Sequence, residues 1–135
     1  MPETHAGAGL LDTSVFLDLA GSSCLPSETR ISAVGLAELA AGPHATKDPR
    51  ERGRRQHHLQ IVEATYDPLP FDVACARAYG RVFAAATATG RKPRGRRAVD
   101  LLIAATAIAN DLPLYTRNPR DFDGLDELLR VVDAT

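Results

Sequence analysis

Gly9-Leu10-Leu11-Asp12-Thr13-Ser14-Val15-Phe16-Leu17 is the stretch on which the fold turns. The apolar run Gly9-Leu10-Leu11 reads as a short strand buried on both faces, the habit of parallel sheets. It stops at Asp12, and Thr13 or Ser14 then offers a cap for a helix that opens with Val15, Phe16 and Leu17. A strand that hands over to a helix at an acid puts that acid at the C-terminal edge of a sheet, where open α/β folds bind their ligands.

The same alternation continues along the chain. A strand is predicted at Thr29–Ile31, with Ser32 capping a helix through Leu36, Leu39 and Ala40 that Gly42-Pro43 stops; Glu38 falls within it. A long basic helix is expected over about 49–64, with Leu59, Val62 and Ile61 as its apolar face, followed by a turn and a short strand around Tyr66–Leu69. Asp72 caps a helix to about Thr89, with Ala76, Tyr79, Phe83 and Ala86 spaced to face the sheet. Residues 90–97 form a Gly/Pro-broken basic loop, and Ala98–Ala109 is apolar nearly all round, with Asp100 as its only charge. Asn110 reads as a left-handed cap, Leu114–Thr116 as a strand, Glu127–Leu129 as a last helical turn and Arg130–Val132 as a last strand. The class is α/β: a three-layer α/β/α sandwich around a mostly parallel sheet of roughly five strands. Residues 1–135 read as a single domain, with residues 1–7 as a polar leader.

Composition agrees with a folded chain, since 44% hydrophobic and 24% charged residues are globular rather than disordered proportions. A net charge of −1 excludes a uniformly basic nucleic-acid binder. Yet five of the 16 Lys and Arg lie in residues 47–55 and five more in residues 91–97, clusters that read either as solvated segments or as phosphate contacts. Cys24 and Cys75 lack metal-type spacing and are expected to be reduced, structural thiols. With no signal-type start and no apolar stretch of about 18 residues, no membrane association is expected and the chain reads as cytoplasmic.

Asp12 ending a buried strand, Glu38 in a short helix and Asp100 inside an apolar one are acids where sequence logic favours other residues. Each also has a purely structural reading: Asp12 as a cap, Glu38 as a solvent-facing residue, Asp100 as a complement to its helix dipole. If they converge, each pair about 4 Å apart repels by about 4 kcal/mol at an effective dielectric of 20. Either carboxylates protonate or a divalent cation neutralises them. An all-oxygen set without His or Cys suits Mg²⁺ or Mn²⁺ better than zinc. Mg²⁺ held by carboxylates and substrate phosphates makes such a pocket a natural phosphodiester site, with one metal or two.

Leu10-Leu11-Asp12-Thr13-Ser14-Val15 is similar to the opening motif of PIN-domain nucleases of the VapC branch. Ile31 to Leu39, with Glu38, resembles the second-acid motif; Ala98 to Ala107, with Asp100, the third; and Leu114 to Phe122 the fourth. The resemblance spans residues 10–122 and implies a PIN fold and a Mg²⁺-dependent endoribonuclease, the toxin of a toxin–antitoxin pair. By position it makes Asp12 and Asp100 the principal metal ligands, Glu38 a further ligand or water-orienting acid, and Thr116 a hydroxyl beside them. Asn118 stands where many relatives carry Asp; it is taken as a neutral member of the site, with Asp121 as the alternative. The family further implies an RNA substrate, a VapB-like antitoxin that inserts an Arg-bearing segment, and a homodimer. Arg117, Arg120 and the 91–97 cluster, Arg97 included, are the cations expected near RNA phosphates. With no Trp, three Tyr and four Phe, RNA is expected to be recognised by backbone charge and loop shape rather than by stacking.

Two other classes compete. A receiver-like phosphorylation switch needs a lysine after a late strand, but the only lysines are Lys47 and Lys92, and Arg117 follows Leu114-Tyr115-Thr116. A noncatalytic PIN scaffold for RNA or protein binding is opposed by the retention of Asp12, Glu38 and Asp100.

Overall fold

A computed structural model describes residues 2–90 and 92–135; Arg91, counted above in the second basic cluster, lies outside the described residues. Among the described residues four parallel strands make one sheet: β1 (Glu3–Leu11), β2 (Cys24–Arg30), β3 (Leu114–Thr116) and β4 (Val131–Asp133), in the order β2-β1-β3-β4. The helices are α1 (Thr13–Phe16), α2 (Ala33–Ala41), α3 (Pro49–Thr65), α4 (Val73–Ala88) and α5 (Arg96–Ala109).

Alternation along β1 divides the core. Leu10 and Leu114 pack with residues of α4 and α5 on one face, whereas Leu11 and Tyr115 pack with α1, α2 and α3 on the other. Helices on both faces make the three-layer arrangement that βαβ crossovers impose on a parallel sheet. Gly9 is needed where β1 meets β3, because a Cβ there would lie 2.5 Å from the Tyr115 ring.

Several expectations shift. The sheet has four strands, not five: Leu69 makes only an isolated bridge with Ser32, because Pro68 and Pro70 on either side of it have no N–H to extend a ladder. Residues 3–7, read as a leader, are the exposed first half of β1, paired with β2. The buried face of α4 is Cys75, Ala78, Val82 and Ala86, while Phe83 is 43% exposed; small residues let α4 sit close against α5. Ile61 is half exposed, so α3 buries little beyond Leu59 and Val62. Asn110 keeps a negative φ, and the left-handed residue is Asp111 at φ 54°. Residues 126–128 form a turn, and the last strand starts at Val131 rather than Arg130. Both cysteines are free and buried, and among the described residues no helix is long and apolar enough to cross a membrane.

Ser32 caps α2 as expected, its hydroxyl accepting a hydrogen bond from Gly35 N at 2.9 Å in a buried setting. Ser32→Ala should therefore destabilise the protein by about 1 kcal/mol, read as a lower urea midpoint with unchanged slope. An unchanged midpoint would show that the cap carries no stability.

Candidate active site

β1 is flanked by β2 on one side and β3 on the other, so the chain leaves it in opposite directions and a crevice opens at the C-terminal ends of β1 and β3. Leu11 pairs with Tyr115, which puts Asp12 and Thr116 side by side at that crevice, and Asp12 N donates to Tyr115 O at 3.0 Å. Asp12 is only 6% exposed. The Ser14 hydroxyl donates to Asp12 Oδ1 and accepts from Arg117 N at 3.1 Å, tying the end of β1 to the end of β3. Thr116 accepts from Asn118 N at 3.0 Å, and its own hydroxyl proton serves Asp12. Burial pushes the Asp12 carboxyl above its usual range, while the Ser14 and Thr116 hydroxyls pull it back.

α5 brings the second buried acid. Its residues from Leu101 to Ala107 are buried almost without exception, so the helix cannot rotate without exposing core, and Asp100 is held in its first turns. Burial, and after it the charge of Asp121, pushes the Asp100 carboxyl up to about 7; Arg96 opposes this, and Asp12 and Glu38 add to it. Three acids on separate segments thus act on Asp100. Glu38 projects from α2, where Thr13 Oγ1 donates to Glu38 Oε1 at 2.5 Å. Among the described residues no three acidic, His or Cys side chains close around a single point. The arrangement is open, and Mg²⁺ sites that use one or two carboxylates and leave room for phosphate oxygens are open in the same way.

The PIN-domain family model matches residues 9–128. Ribonuclease VapC of Rickettsia bellii is 34% identical over 99 residues, covering 73% of this chain and 71% of its own. Ribonuclease VapC8 of Mycobacterium tuberculosis is 34% identical over 110 residues, covering 79% of this chain and 96% of its own. The chain belongs to the VapC family of PIN-domain proteins. A solved relative of this VapC-family chain is VapBC-5 of Mycobacterium tuberculosis, a member of the VapBC family of toxin–antitoxin systems. It superimposes with a TM-score of 0.77 at 35% identity, covering 94% of this chain and 97% of that one.

Of the residues singled out in the VapC-type motifs, Thr116 stands beside Asp12, and Asp121, Asp12 and Glu38 each bear by their charge on Asp100. Asn118 does not join them: it is exposed, and its backbone rather than its side chain engages Thr116. The short 3-10 turn Pro119–Phe122 carries Asp121 toward Asp100 instead. Arg117 points its guanidinium at Asp18, 3.3 Å away, and Arg97 donates through Nη1 to Asp121 O at 3.2 Å. Arg97 Nε and Nη2 are buried without a hydrogen-bond partner. Sequence reasoning missed the clamps made by Thr13 and Ser14; the hydroxyl pair directly after Asp12 was their signal.

The pH dependence has a definite sign. A folded-state pKa near 7 for Asp100, above the unfolded value of 3.8, means that the folded protein holds the proton more tightly. The stability this confers is fully present below about pH 4 and is lost as pH rises to 7; the Asp12 shift has the same sign. Metal-free protein should therefore lose melting temperature between pH 4.5 and 7, and Asp100→Asn should lose much less. Identical losses in the two proteins would contradict the described electrostatics.

Proposed function

We propose that this chain is an endoribonuclease, the toxin of a toxin–antitoxin pair, and that it hydrolyses RNA phosphodiester bonds with a divalent cation held by Asp12 and Asp100. The observation that carries the reading is the buried Asp100 carboxyl, raised by burial and by the charges of Asp121, Asp12 and Glu38. Hard oxygen donors in mutual repulsion fit Mg²⁺, with Mn²⁺ as a substitute. When bound, the cation supplies Lewis acidity: it offsets charge gathering on the phosphate and makes a water nucleophilic at neutral pH.

The chain's own residues do the rest. Asp12 is oriented by the Ser14 and Thr116 hydroxyls, so its carboxylate arrives fixed rather than searching. Glu38 is steadied by Thr13 and orients the attacking water. Asp121 completes the acidic rim, and Asn118 is left to contact substrate as a neutral group. Thr116 lies buried beside Asp12, and Arg117 and Arg97 line the approach of the RNA. A phosphodiester brought to this rim needs nearby cations, and Arg96, Arg97 and Arg117 stand within or beside it.

VapBC-5 is a toxin–antitoxin system, and that kinship supports a VapB-like antitoxin as partner. An acidic pocket fits an inhibitor segment that brings an arginine into it. A homodimer that aligns two such sites, working in the cytoplasm where RNA is met, completes the proposal.

Asp12→Asn should fold and bind RNA yet cleave about 100-fold or more slowly in Mg²⁺. A wild-type rate in that variant would remove the enzyme reading. Mg²⁺ or Mn²⁺ should also raise the melting temperature, and Asp100→Ala should abolish most of that rise. A thermal response that survives Asp100→Ala would exclude Asp100 as a ligand.

A further inference from the structure

The basic helix α3 contributes nothing to the chemistry described so far, although it walls a cavity of about 600 Å³ that shares Thr13 and Glu38 with the acidic site. That volume lies within the range of about 300–1,000 Å³ typical of small-ligand pockets. Glu51, Arg54, Arg55 and His58 fall at three- and four-residue spacing, so they share one face of α3 and line this cavity. Arg55 is structurally committed: it donates to Glu51 Oε1 at 3.1 Å and to Gly42 O at 2.9 Å. Arg54 pairs with Glu51 Oε2 at 3.1 Å but stays 70% exposed, so one acid is offset by two cations and the wall is net positive.

His58 is the anomaly. Its Nε2 is buried without a hydrogen-bond partner, a condition native proteins keep mainly where something else completes the bond. Leu17, 52% exposed, and Leu39 give the same cavity an apolar surface. On the side toward the acids stands Arg96, whose charge reaches Asp100. Cations at the mouth, aliphatic side chains within and one unpaired ring nitrogen match a flat group with apolar faces, a polar edge and an attached anion.

We infer that this cavity is a nucleotide subsite. It receives the RNA residue that flanks the scissile phosphate, with Arg54 and Arg96 on that residue's phosphate, Leu17 and Leu39 against its base, and His58 bonded to the base edge through Nε2 once its ring turns that buried nitrogen out of the cavity wall. The inference rests on the ribonuclease reading for which phosphate is scissile. It gives the chain a base preference beside the cut without aromatic stacking, through an unstacked single-stranded base read at its edge.

Binding measured in EDTA tests the subsite apart from cleavage. The probes are fluorescently labelled RNA heptamers that differ only in the base at one position, with that position scanned along the strand. Wild type should favour one base at one position by roughly tenfold or more, the size of a buried hydrogen bond made or left unpaired. His58→Ala should bring the favoured RNA down to the level of the others. Arg54→Ala should weaken all of the heptamers alike and flatten their salt dependence. Leu17→Glu, at an exposed position, tests the cavity even if His58→Ala fails to fold, and should lower affinity for the favoured RNA roughly tenfold. No base preference in wild type, or a preference that survives both His58→Ala and Leu17→Glu, would overturn the inference. So would an intact preference accompanied by lost antitoxin affinity, which would assign the cavity to a peptide. Selective binding without cleavage in Mg²⁺ would sink the hydrolase reading and leave the subsite standing; cleavage without base selection would do the reverse.

Discussion

Like charges buried together at the C-terminal edge of a parallel sheet are the condition around which this molecule is arranged. Asp12 and Asp100 are both nearly inaccessible, and Asp121 and Glu38 add their fields to Asp100. Two carboxylates about 4 Å apart cost about 4 kcal/mol at an effective dielectric of 20, a large share of a small domain's total stability. A fold selected for stability alone would have placed apolar or neutral residues at these points. What keeps the acids in place is the rigidity of the segments that carry them.

That rigidity is built from ordinary parts. The β1–β3 contact is close enough to require Gly9 against the Tyr115 ring, and it sets Asp12 beside Thr116. α5 is buried over most of its circumference, which fixes the rotation of Asp100 about the helix axis. The Ser14 hydroxyl ties Asp12 to the backbone at Arg117, and Thr13 does the same for Glu38 across to α2. Asp12, Glu38 and Asp100 are therefore delivered by separate elements and held by a neighbouring hydroxyl or by packing, which limits how far they can move to relieve the repulsion. Arg96 offsets part of that repulsion at Asp100, and protonation can offset more.

Much of this was legible in the chain before any fold was known. Asp12 and Asp100 stood out because each interrupts an apolar run, and the strand–helix junction at Asp12 already implied a sheet edge. The capping roles of Ser32 and Asp72 followed from residue type and position alone. Other features depend on tertiary contact and carry no local signature. The large aromatics Tyr79 and Phe83 suggested a buried face for α4, whereas the choice went to the alanine-rich face that packs closely on α5. The extent of β1 was hidden because most of its first residues face solvent and lack the apolar run that marks Gly9-Leu10-Leu11. The 3-10 turn over Pro119–Phe122, which brings the charge of Asp121 to bear on Asp100, followed from no spacing rule. His58 gave no sign at all in a polar helix, since its interest lies in a nitrogen that finds no partner.

The molecule thus combines a strained acidic edge with a cationic approach, one half suited to a metal and the other to a phosphate chain. Anomalous diffraction from crystals soaked in Mn²⁺ measures this most directly. A strong peak bonded to carboxylate oxygens of both Asp12 and Asp100 is the predicted result. A saturating soak that leaves these two carboxylates without a shared ion, or that puts the ion elsewhere on the protein, would contradict it.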